Sequence, residues 1–562
     1  MSSGEQNLGA LTSSHPAPQE PASTAASRWR RPEPWVILLW STVVLLATVR
    51  LAGLASSPPG LHQDEAAIGY DAWAIAHHGV DQHGAVLPLF FESFGDFKSP
   101  LYVYLLAPFT WAFPLTPGVV RLPAALCGLA SCALLAGTAR RATGGPPAVT
   151  VLALLTAGLM PWLFLESRVG FEVVTLTLSL SAALWCLARA HTGGGCRWFL
   201  AAGAPLALAE YAYPTGRLMV ALLLPALCVA HLWPRLPAWF RTRRPGEGAV
   251  QPPLQRVPAP APEGWWTALL IPVAAYAAMA LWALHHPGAL TARFSALSIL
   301  NDDPGPATAL RRLAGNYLAH LNIPFLLLRG DSNPRHSTGL GGMILVATLP
   351  ALMTGAVACW RHRDEALPCF ALLGLLVAPI PASLTREGIP HGLRAAPMIP
   401  FLLLITSYGW QRLLPWLSRP SRQRSALAVL AMLQVGLYLG DLFVTYPARA
   451  EGSFDGGIGA AITAAHSLAN GHQVLLSDSL GQPYAHALFQ LRPAPGRDLD
   501  ATMAMVASRQ LPLASIRRTA RHGDILVLAP ADHPPPSARL LLVERTRAAW
   551  WSTMVAASVY RV

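Results

Sequence analysis

Long apolar stretches alternate with short polar connections over the first 445 residues of the chain. Each stretch has roughly 17–25 residues, the length of helix that crosses the hydrocarbon core of a bilayer. The pattern therefore predicts an α-helical polytopic membrane protein with about eleven spans. They lie near 35–55, 118–138, 147–165, 172–190, 198–214, 217–234, 265–285, 339–358, 366–383, 394–414 and 425–445.

The arginines predict the orientation of these spans. Every second connection is short and basic, as in Arg140-Arg141, whereas the connections between them are longer or poorer in basic residues. Short basic loops are typical of the cytoplasmic side, so we expect the N-terminus inside and the C-terminus outside. Residues 1–27 are rich in Ser, Ala, Pro and Gln, and we expect 1–34 to form a disordered cytoplasmic tail.

The chain changes character after residue 445. Residues 446–562 contain no apolar run of span length, and helical-looking stretches lie among or before their short β-like segments. The β-like segments are 472–476, 524–528, 538–543 and 556–560. This alternation predicts a small α/β domain, which we place outside the cytoplasm because the last span exits there. The transmembrane catalytic core is then 35–445.

Composition excludes several classes of protein. Hydrophobic residues make up 53% of the chain and charged residues 12%, whereas a soluble domain carries about 25% charged residues. The net charge of +12 fits basic cytoplasmic loops that attract anionic lipids. No basic stretch is interleaved with stacking aromatics, so no nucleic-acid partner is expected. The seven cysteines form no CxxC motif, and they indicate neither a disulfide framework nor a zinc site.

The first expected outer loop, residues 56–117, carries the most informative polar residues. Asp64 and Glu65 follow the first span, and Lys98 is the only lysine of the chain. A long loop without function is uncommon. Carboxylates opposite an ammonium at the membrane surface suit a base for an acceptor hydroxyl or amine and a cation for a departing phosphate. A solvating acidic pair and a lysine that merely survived in an arginine-rich chain are the alternatives.

Further polar residues fall in other expected outer loops. An arginine at a membrane edge is costly unless it is paired, and its planar fork suits phosphate oxygens. We therefore predict that Arg217, Arg335 and Arg394 contact a donor phosphate, although each taken alone also fits a snorkelling or salt-bridged residue. The residues expected to support the site are Tyr70, Asp96, Tyr102, Arg168, His336 and His391.

Three segments resemble the GT-C glycosyltransferases: Asp64-Glu65, Lys98-Ser99-Pro100-Leu101-Tyr102 and Val120-Arg121-Leu122-Pro123-Ala124-Ala125-Leu126. The nearest branch is similar to bacterial relatives of the protein O-mannosyltransferases and of the aminoarabinose transferases that modify lipid A. The resemblance implies that Asp64 is the catalytic base, Glu65 a supporting acid and Lys98 a contact of the donor phosphate. The family often has an acid directly before this lysine, where this chain has Phe97, with Asp96 one position earlier.

The resemblance implies transfer of a sugar, with inversion, from a polyprenyl-phosphate-linked donor. The acceptor would be a glycan, lipid or protein of the cell envelope, on the outer face of the bacterial plasma membrane. We expect no cofactor and no obligatory metal. A polysaccharide ligase or polymerase with a polyprenyl-pyrophosphate donor, and a transporter or flippase of lipid-linked sugars, remain alternatives. The acidic chemistry of the first outer loop counts against the former, and the lack of repeated halves counts against the latter.

Overall fold

The computed structural model describes residues 33–235, 263–549 and 552–562. The expected tail, 1–34, lies outside the described residues except for its last two positions, and so does most of the connection that follows Arg235. The structure is mainly helical, with a sheet near the C-terminus.

Prolines mark where many of the first helices begin. Pro100, Pro117, Pro147 and Pro214 each stand in a first helical turn, where a missing N–H removes no helical hydrogen bond. These helices are α1 (Pro34–Leu51), α2 (Gln63–His78), α3 (Pro100–Ala112), α4 (Pro117–Thr143), α5 (Pro147–Leu159), α6 (Pro161–Glu166), α7 (Val173–Arg189), α8 (Cys196–Glu210), α9 (Pro214–Leu232), α10 (Leu270–His285), α11 (Ala292–Leu297) and α12 (Pro306–Leu321).

The later helices continue to the C-terminal part, where most of the strands lie. The helices are α13 (Leu349–Arg361), α14 (Ala366–Val377), α15 (Ile380–Ser383), α16 (Met398–Leu417), α17 (Arg422–Gly440), α18 (Tyr446–Ala450), α19 (Ile458–Ala469), α20 (Pro483–Leu491), α21 (Leu499–Ala504) and α22 (Leu513–Thr519). The strands are β1 (Phe91–Ser93), β2 (Asp96–Lys98), β3 (Val474–Ser477), β4 (Ser508–Leu511), β5 (Ile525–Leu528), β6 (Arg539–Ala549) and β7 (Ser552–Arg561).

Helices that can cross a membrane dominate the first 454 residues. Among the described residues, seven helical segments are long and apolar enough to do so: Pro34–Leu51, Pro117–Thr143, Val173–Gly194, Pro214–Arg235, Trp265–His285, Ala366–Ser383 and Arg422–Phe454. The predicted helical membrane architecture is confirmed, but the count of eleven is not. The other four expected spans fall on α5, α8, α13 and α16. Both α5 and α13 have 13 residues, about 20 Å of helix against a hydrocarbon core of about 30 Å.

The loop 56–117, which we expect on the outer side, folds into α2, a β-hairpin and α3. Strands β1 and β2 are antiparallel, with Phe91 opposite Lys98 and Ser93 opposite Asp96. The two residues between them, Phe94 and Gly95, have φ of 58° and 69°. Positive φ at both positions fits the two-residue turn that matches the twist of a hairpin. The hairpin therefore places Lys98 at the end of β2, immediately before α3.

The C-terminal residues form a five-stranded sheet in the order β4-β3-β5-β7-β6. Strand β3 is parallel to β4 and β5, and β7 is antiparallel to β5 and β6. The four β-like segments of the sequence correspond to β3, β5, β6 and β7, so the predicted α/β character is confirmed. Strand β4 was not predicted because Ser508-Arg509-Gln510 is polar. The expected boundary at 445/446 falls inside the helical segment Arg422–Phe454.

The sheet domain packs directly on α2. One buried cluster joins Ala66 and Tyr70 of α2 to Leu488 and Phe489 of α20. A Cβ on Gly69 would lie 2.8 Å from a ring carbon of Phe489, a separation that protein atoms do not tolerate without displacement. The small residues of α2 thus allow close packing of the two helices, and the helix that carries Asp64 is fixed from the C-terminal side.

Candidate active site

Helix α2 and the β1–β2 hairpin bring Asp64 and Lys98 together. Lys98 Nζ donates a hydrogen bond to Asp64 Oδ1 at 2.5 Å, and it lies 4.8 Å from the centre of the Phe94 ring. The side chain of Lys98 is 12% exposed and that of Asp64 is 34% exposed. The ammonium is therefore mostly covered, while the carboxylate remains accessible to an incoming group.

Local sequence fixes where α2 begins and hence where Asp64 lies. Glu65 Oε2 accepts the backbone N–H of His62 at 3.2 Å, and His62 Nδ1 lies 3.2 Å from the backbone N of Asp64, so both side chains lie at the start of the helix. Gln63 donates its backbone N–H to Asp455 Oδ2 at 2.7 Å, a contact with the segment that leads into the sheet domain. A carboxylate in the first turn of a helix is stabilised by the helix dipole. The carboxylate of Asp64 is thus held at a defined place in the first turn of α2.

The charges around the pair keep both partners ionised. Burial raises the pKa of Asp64, but the charge of Lys98 and the hydrogen bond from His62 outweigh burial and hold that pKa well below its usual value. Burial lowers the pKa of Lys98, but the carboxylates of Asp64 and Glu172 outweigh it and raise that pKa. At neutral pH the site therefore contains a carboxylate and an ammonium in contact.

The predicted supporting acid, Glu65, has partners that hold it within the fold. It is fully buried against Arg121, whose Nε and Nη2 donate to Glu65 Oε1 and Oε2, both at 2.8 Å. The backbone N–H groups of Gly170 and His62 donate to the same two oxygens. Donors occupy all four lone-pair directions of the carboxylate, so Glu65 joins α2 to α4 and to the loop that leads into α7.

Arg168, Tyr70 and Tyr102, predicted to support the site, also have partners within the fold. Arg168 is fully buried and donates to backbone carbonyls after α1, including those of Ala52 and Ser57, both at 2.7 Å. Tyr70 donates its hydroxyl to Pro493 O at 2.8 Å and Tyr102 to Val120 O at 2.7 Å. A hydroxyl or guanidinium committed to buried carbonyls is not available to a ligand, because breaking those bonds leaves the carbonyls unpaired.

The three arginines predicted to bind phosphate differ in their surroundings. Arg335 Nη1 contacts His62 Nε2, which places Arg335 directly behind the Asp64 pair. Arg394 donates to Thr385 Oγ1 at 3.0 Å and to Glu387 O at 2.9 Å.

Arg217 donates to Leu290 O at 2.9 Å, and its Nε and Nη2 are buried without a partner. Its guanidinium also lies 5.0 Å from the centre of the Phe90 ring. Two unpaired buried donors on a cation are unusual, so Arg217 retains the clearest capacity to receive an anion.

Three residues near the pair were not predicted as site residues. Glu172 accepts the backbone N–H of Ser99 and so holds the end of β2. Arg293 lies 3.9 Å from Asp96. The hydroxyl of Tyr213 is close enough to feel the charges of four residues: Arg394, Glu172, Arg293 and Asp64. Only Glu172 carried a signal in the sequence, as an acid at the edge of a span.

Asp331, His336 and His391 form the group whose chemistry comes nearest to a metal site among the described residues, with ligand atoms within 4.8 Å of one another. Asp331 Oδ2 already accepts from His336 Nδ1 at 2.7 Å and from Gly392 N at 2.6 Å. Burial and nearby arginine charges lower the pKa values of His336 and His391. The same positive charges oppose a bound cation. The three residues therefore fit a set of contacts that joins two loops better than they fit a metal site.

An open groove begins beside the pair. It has a volume of about 480 Å³ and is lined by Phe97, His286, Pro287, Gly288, Ala289, Thr291, Ala292 and Ser295. Trp282 stacks on His286 with ring centres 4.0 Å apart and meets the edge of Phe97 at 5.8 Å. The groove thus follows the end of α10, next to the residue that precedes Lys98.

Part of this arrangement matches a known family. Residues 97–246 match the family model described as dolichyl-phosphate-mannose-protein mannosyltransferase. The match begins one residue before Lys98 and covers α3 to α9. A search of curated proteins found no match.

Solved structures show the fold. ArnT from Cupriavidus metallidurans, crystallised with undecaprenyl phosphate, is 15% identical with a TM-score of 0.56, and the alignment covers 95% of this chain and 99% of that chain. The chain has the GT-C glycosyltransferase fold. An oligosaccharyltransferase from Archaeoglobus fulgidus is 12% identical with a TM-score of 0.48, over 86% of this chain and 65% of that chain. The family-model match and the ArnT fold confirm the GT-C resemblance inferred from three short segments of the sequence.

Proposed function

We propose that the protein is a membrane glycosyltransferase that moves a sugar from a polyprenyl-phosphate-linked donor to a cell-envelope acceptor. The acceptor is a glycan, lipid or protein on the outer face of the bacterial plasma membrane. The contact between Asp64 and Lys98 carries the proposal, because it places a proton acceptor and a compact cation at one accessible point.

The chemistry is a single displacement at the anomeric carbon of the donor sugar. An acceptor hydroxyl or amine forms the new bond to that carbon, its proton passes to Asp64, and the bond from the carbon to the phosphate oxygen breaks. The lipid phosphate leaves with the electron pair of that bond. Lys98 stabilises the charge that grows on it, as a preorganised cation does for a developing anion. A direct displacement inverts the configuration of the sugar.

The surroundings of the two acids support the inverting course. Glu65, the other carboxylate of the pair in the sequence, is enclosed by Arg121 and two backbone donors. It cannot act as a nucleophile or as a second acid without leaving the buried Arg121 guanidinium without its counter-charge, which is strongly unfavourable. Asp64 therefore acts as a base for the acceptor, without a partner carboxylate that would form a covalent sugar intermediate.

The groove beside Phe97 supports a lipid-linked donor. It is open, lies at the end of an apolar helix and is partly aromatic, which suits a polyprenyl chain entering from the bilayer. ArnT, which shares the fold, has been crystallised with undecaprenyl phosphate. We place the lipid chain in this groove and its phosphate at Lys98, the residue after Phe97, and Arg217 has two buried donors without a partner that can receive an anion. The short basic connections between spans support a position of this side outside the cytoplasm.

Asp64→Asn tests the proposal. Membranes with the wild-type or variant chain are supplied with the lipid-linked sugars of the same cells, labelled by growth on a radioactive sugar, and label on envelope acceptors is measured. General-base catalysis contributes about 10²–10⁴-fold, so we expect a loss of that size at equal protein level. Glu92→Gln, a change of an exposed carboxylate on β1, is the matched control. Normal transfer by Asp64→Asn would refute the role of Asp64, and label that crosses the membrane without reaching an acceptor would indicate a transporter.

A further inference from the structure

His62 lies between Arg335 and Asp64 and contacts both. The imidazole is 4% exposed and its ring meets the edge of Phe171 at a centre distance of 5.7 Å. Its Nε2 contacts Arg335 Nη1, and its Nδ1 lies 3.3 Å from Asp64 Oδ2 and 3.2 Å from the backbone N of Asp64. One ring thus joins the loop after α12 to the base at the start of α2.

The contact with Arg335 determines which ring nitrogen carries the proton. A guanidinium has five donors and no acceptor, so Nε2 must receive a hydrogen bond and cannot hold a proton. A neutral imidazole then carries its proton on Nδ1. A protonated Nδ1 cannot accept from the backbone N–H of Asp64, and its remaining partner is Asp64 Oδ2. The hydrogen bond therefore runs from His62 to the carboxylate.

We propose that His62 is a positioning residue for the catalytic base: Arg335 fixes its tautomer, and its Nδ1–H holds Asp64 Oδ2. This inference rests on the proposed function, in which Asp64 is the base. With Oδ2 held by His62 and Oδ1 by Lys98, the carboxylate is fixed in plane and in rotation. When a donor phosphate draws Lys98 towards itself, Oδ1 becomes free for the acceptor proton while His62 keeps the carboxylate in place.

A simpler role for His62 is that of helix cap, and the two roles predict different variants. Asn and Ser are both good N-cap residues, so both keep the start of α2. Asn also places an N–H donor close to the position of Nδ1, whereas the hydroxyl of Ser is too short to hold Asp64 Oδ2. Gln can still accept from Arg335 but offers no donor at the position of Nδ1.

We therefore expect His62→Asn to transfer sugar within about threefold of wild type. His62→Ser and His62→Gln lose on the order of 10–100-fold in kcat/KM, the range for a lost hydrogen bond to a charged group. His78→Asn, a change of an exposed histidine at the other end of α2, is the matched control. If His62 only caps the helix, Ser and Asn behave alike, and that result overturns the inference.

The pH dependence of kcat/KM distinguishes the two roles, because a residue that only caps the helix would not change it. The hydrogen bond from His62 lowers the pKa of Asp64, so losing that bond raises the pKa. The acid limb of kcat/KM should then move to higher pH in His62→Ser and His62→Gln but not in His62→Asn. The other groups that act on Asp64 remain unchanged in each variant: Lys98, Glu172, Tyr213 and Tyr484.

Arg335→Met in wild-type and His62→Asn backgrounds tests the link between the two residues. Because Arg335 acts on Asp64 through the tautomer of His62, its replacement should cost less when position 62 is already Asn. Equal losses in both backgrounds overturn the link. If Asp64→Asn itself is active, the proposed function has failed. If Asp64→Asn is inactive while all three His62 variants keep wild-type rates and pH profiles, only the present inference has failed.

Discussion

Replacing Glu65 with Gln tests whether the second acid of the outer loop stabilises the fold or takes part in transfer. Both oxygens of Glu65 are surrounded only by donors, two from Arg121 and two from backbone N–H groups. An amide of the same shape keeps one acceptor oxygen and turns an NH₂ group towards two of these donors. Two hydrogen bonds are lost, and the Arg121 guanidinium, fully buried, loses its counter-charge.

Removing one partner of a buried ion pair costs about 3–5 kcal/mol, on the order of 10²–10⁴ in the ratio of unfolded to folded protein. The protein in detergent is heated in steps, and the fraction still soluble and monodisperse is measured. Glu65→Gln should lose its fold at a clearly lower temperature than wild type or Glu92→Gln. Transfer per folded molecule, measured in the cold, should fall far less than in Asp64→Asn. Wild-type thermal stability combined with a loss of transfer as large as that of Asp64→Asn would refute the structural role.

Three further predictions concern the ion pair and the packing of α2. Lys98→Ala should weaken the use of the donor by about 1.5–3 kcal/mol, and Lys98→Arg should retain part of the wild-type donor use. Transfer rates measured against donor concentration check this, and the dependence on acceptor concentration should not change. Because the pKa of Asp64 is lowered and that of Lys98 is raised, the stability from the pair should be lost as pH falls through the folded pKa of Asp64 and as pH rises through that of Lys98; thermal midpoints across pH measure it, and loss of that contribution at neutral pH would contradict it. Gly69→Ala should cost about 1–3 kcal/mol by overpacking Phe489 and lower the thermal midpoint, whereas Gly315→Ala, which has open space at its Cβ, should not.

The fold could be predicted to the extent that it follows local pattern. Apolar runs of span length and short β-like runs identified most helices of the core and four strands of the sheet. The short helix α5 was read as a full span because Pro161 and the apolar residues of α6 extend the same apolar run beyond its end. Strand β4 was missed because its residues are polar, and its place in the sheet depends on parallel pairing with β3.

The candidate site shows a different limit. Asp64 and Lys98 stood out because opposite charges in an outer loop point to one chemistry. The roles of Glu65 and Arg168 depend on partners far along the chain, Arg121 and the carbonyls after α1, and no local pattern records which partner a buried charge will find. His62 gave no signal of its own, because a histidine before two acids also fits a helix cap, and only Arg335 decides its tautomer.

The contacts of α2 with the end of the chain have a consequence for biogenesis. Two contacts hold α2: Asp455 accepts a hydrogen bond from Gln63, and Phe489 of α20 packs on Gly69. Asp455 and Phe489 are synthesised after every membrane-spanning segment that the structure describes. The sheet next to α20 is complete only when β7, which ends at Arg561, has paired with β5 and β6. The loop 56–117 is synthesised early, but its contacts with Asp455 and Phe489 form only after those residues have been made. A chain that lacks this C-terminal part has its acid and its lysine without the contacts that align them, and under the proposed function we expect it to transfer no sugar.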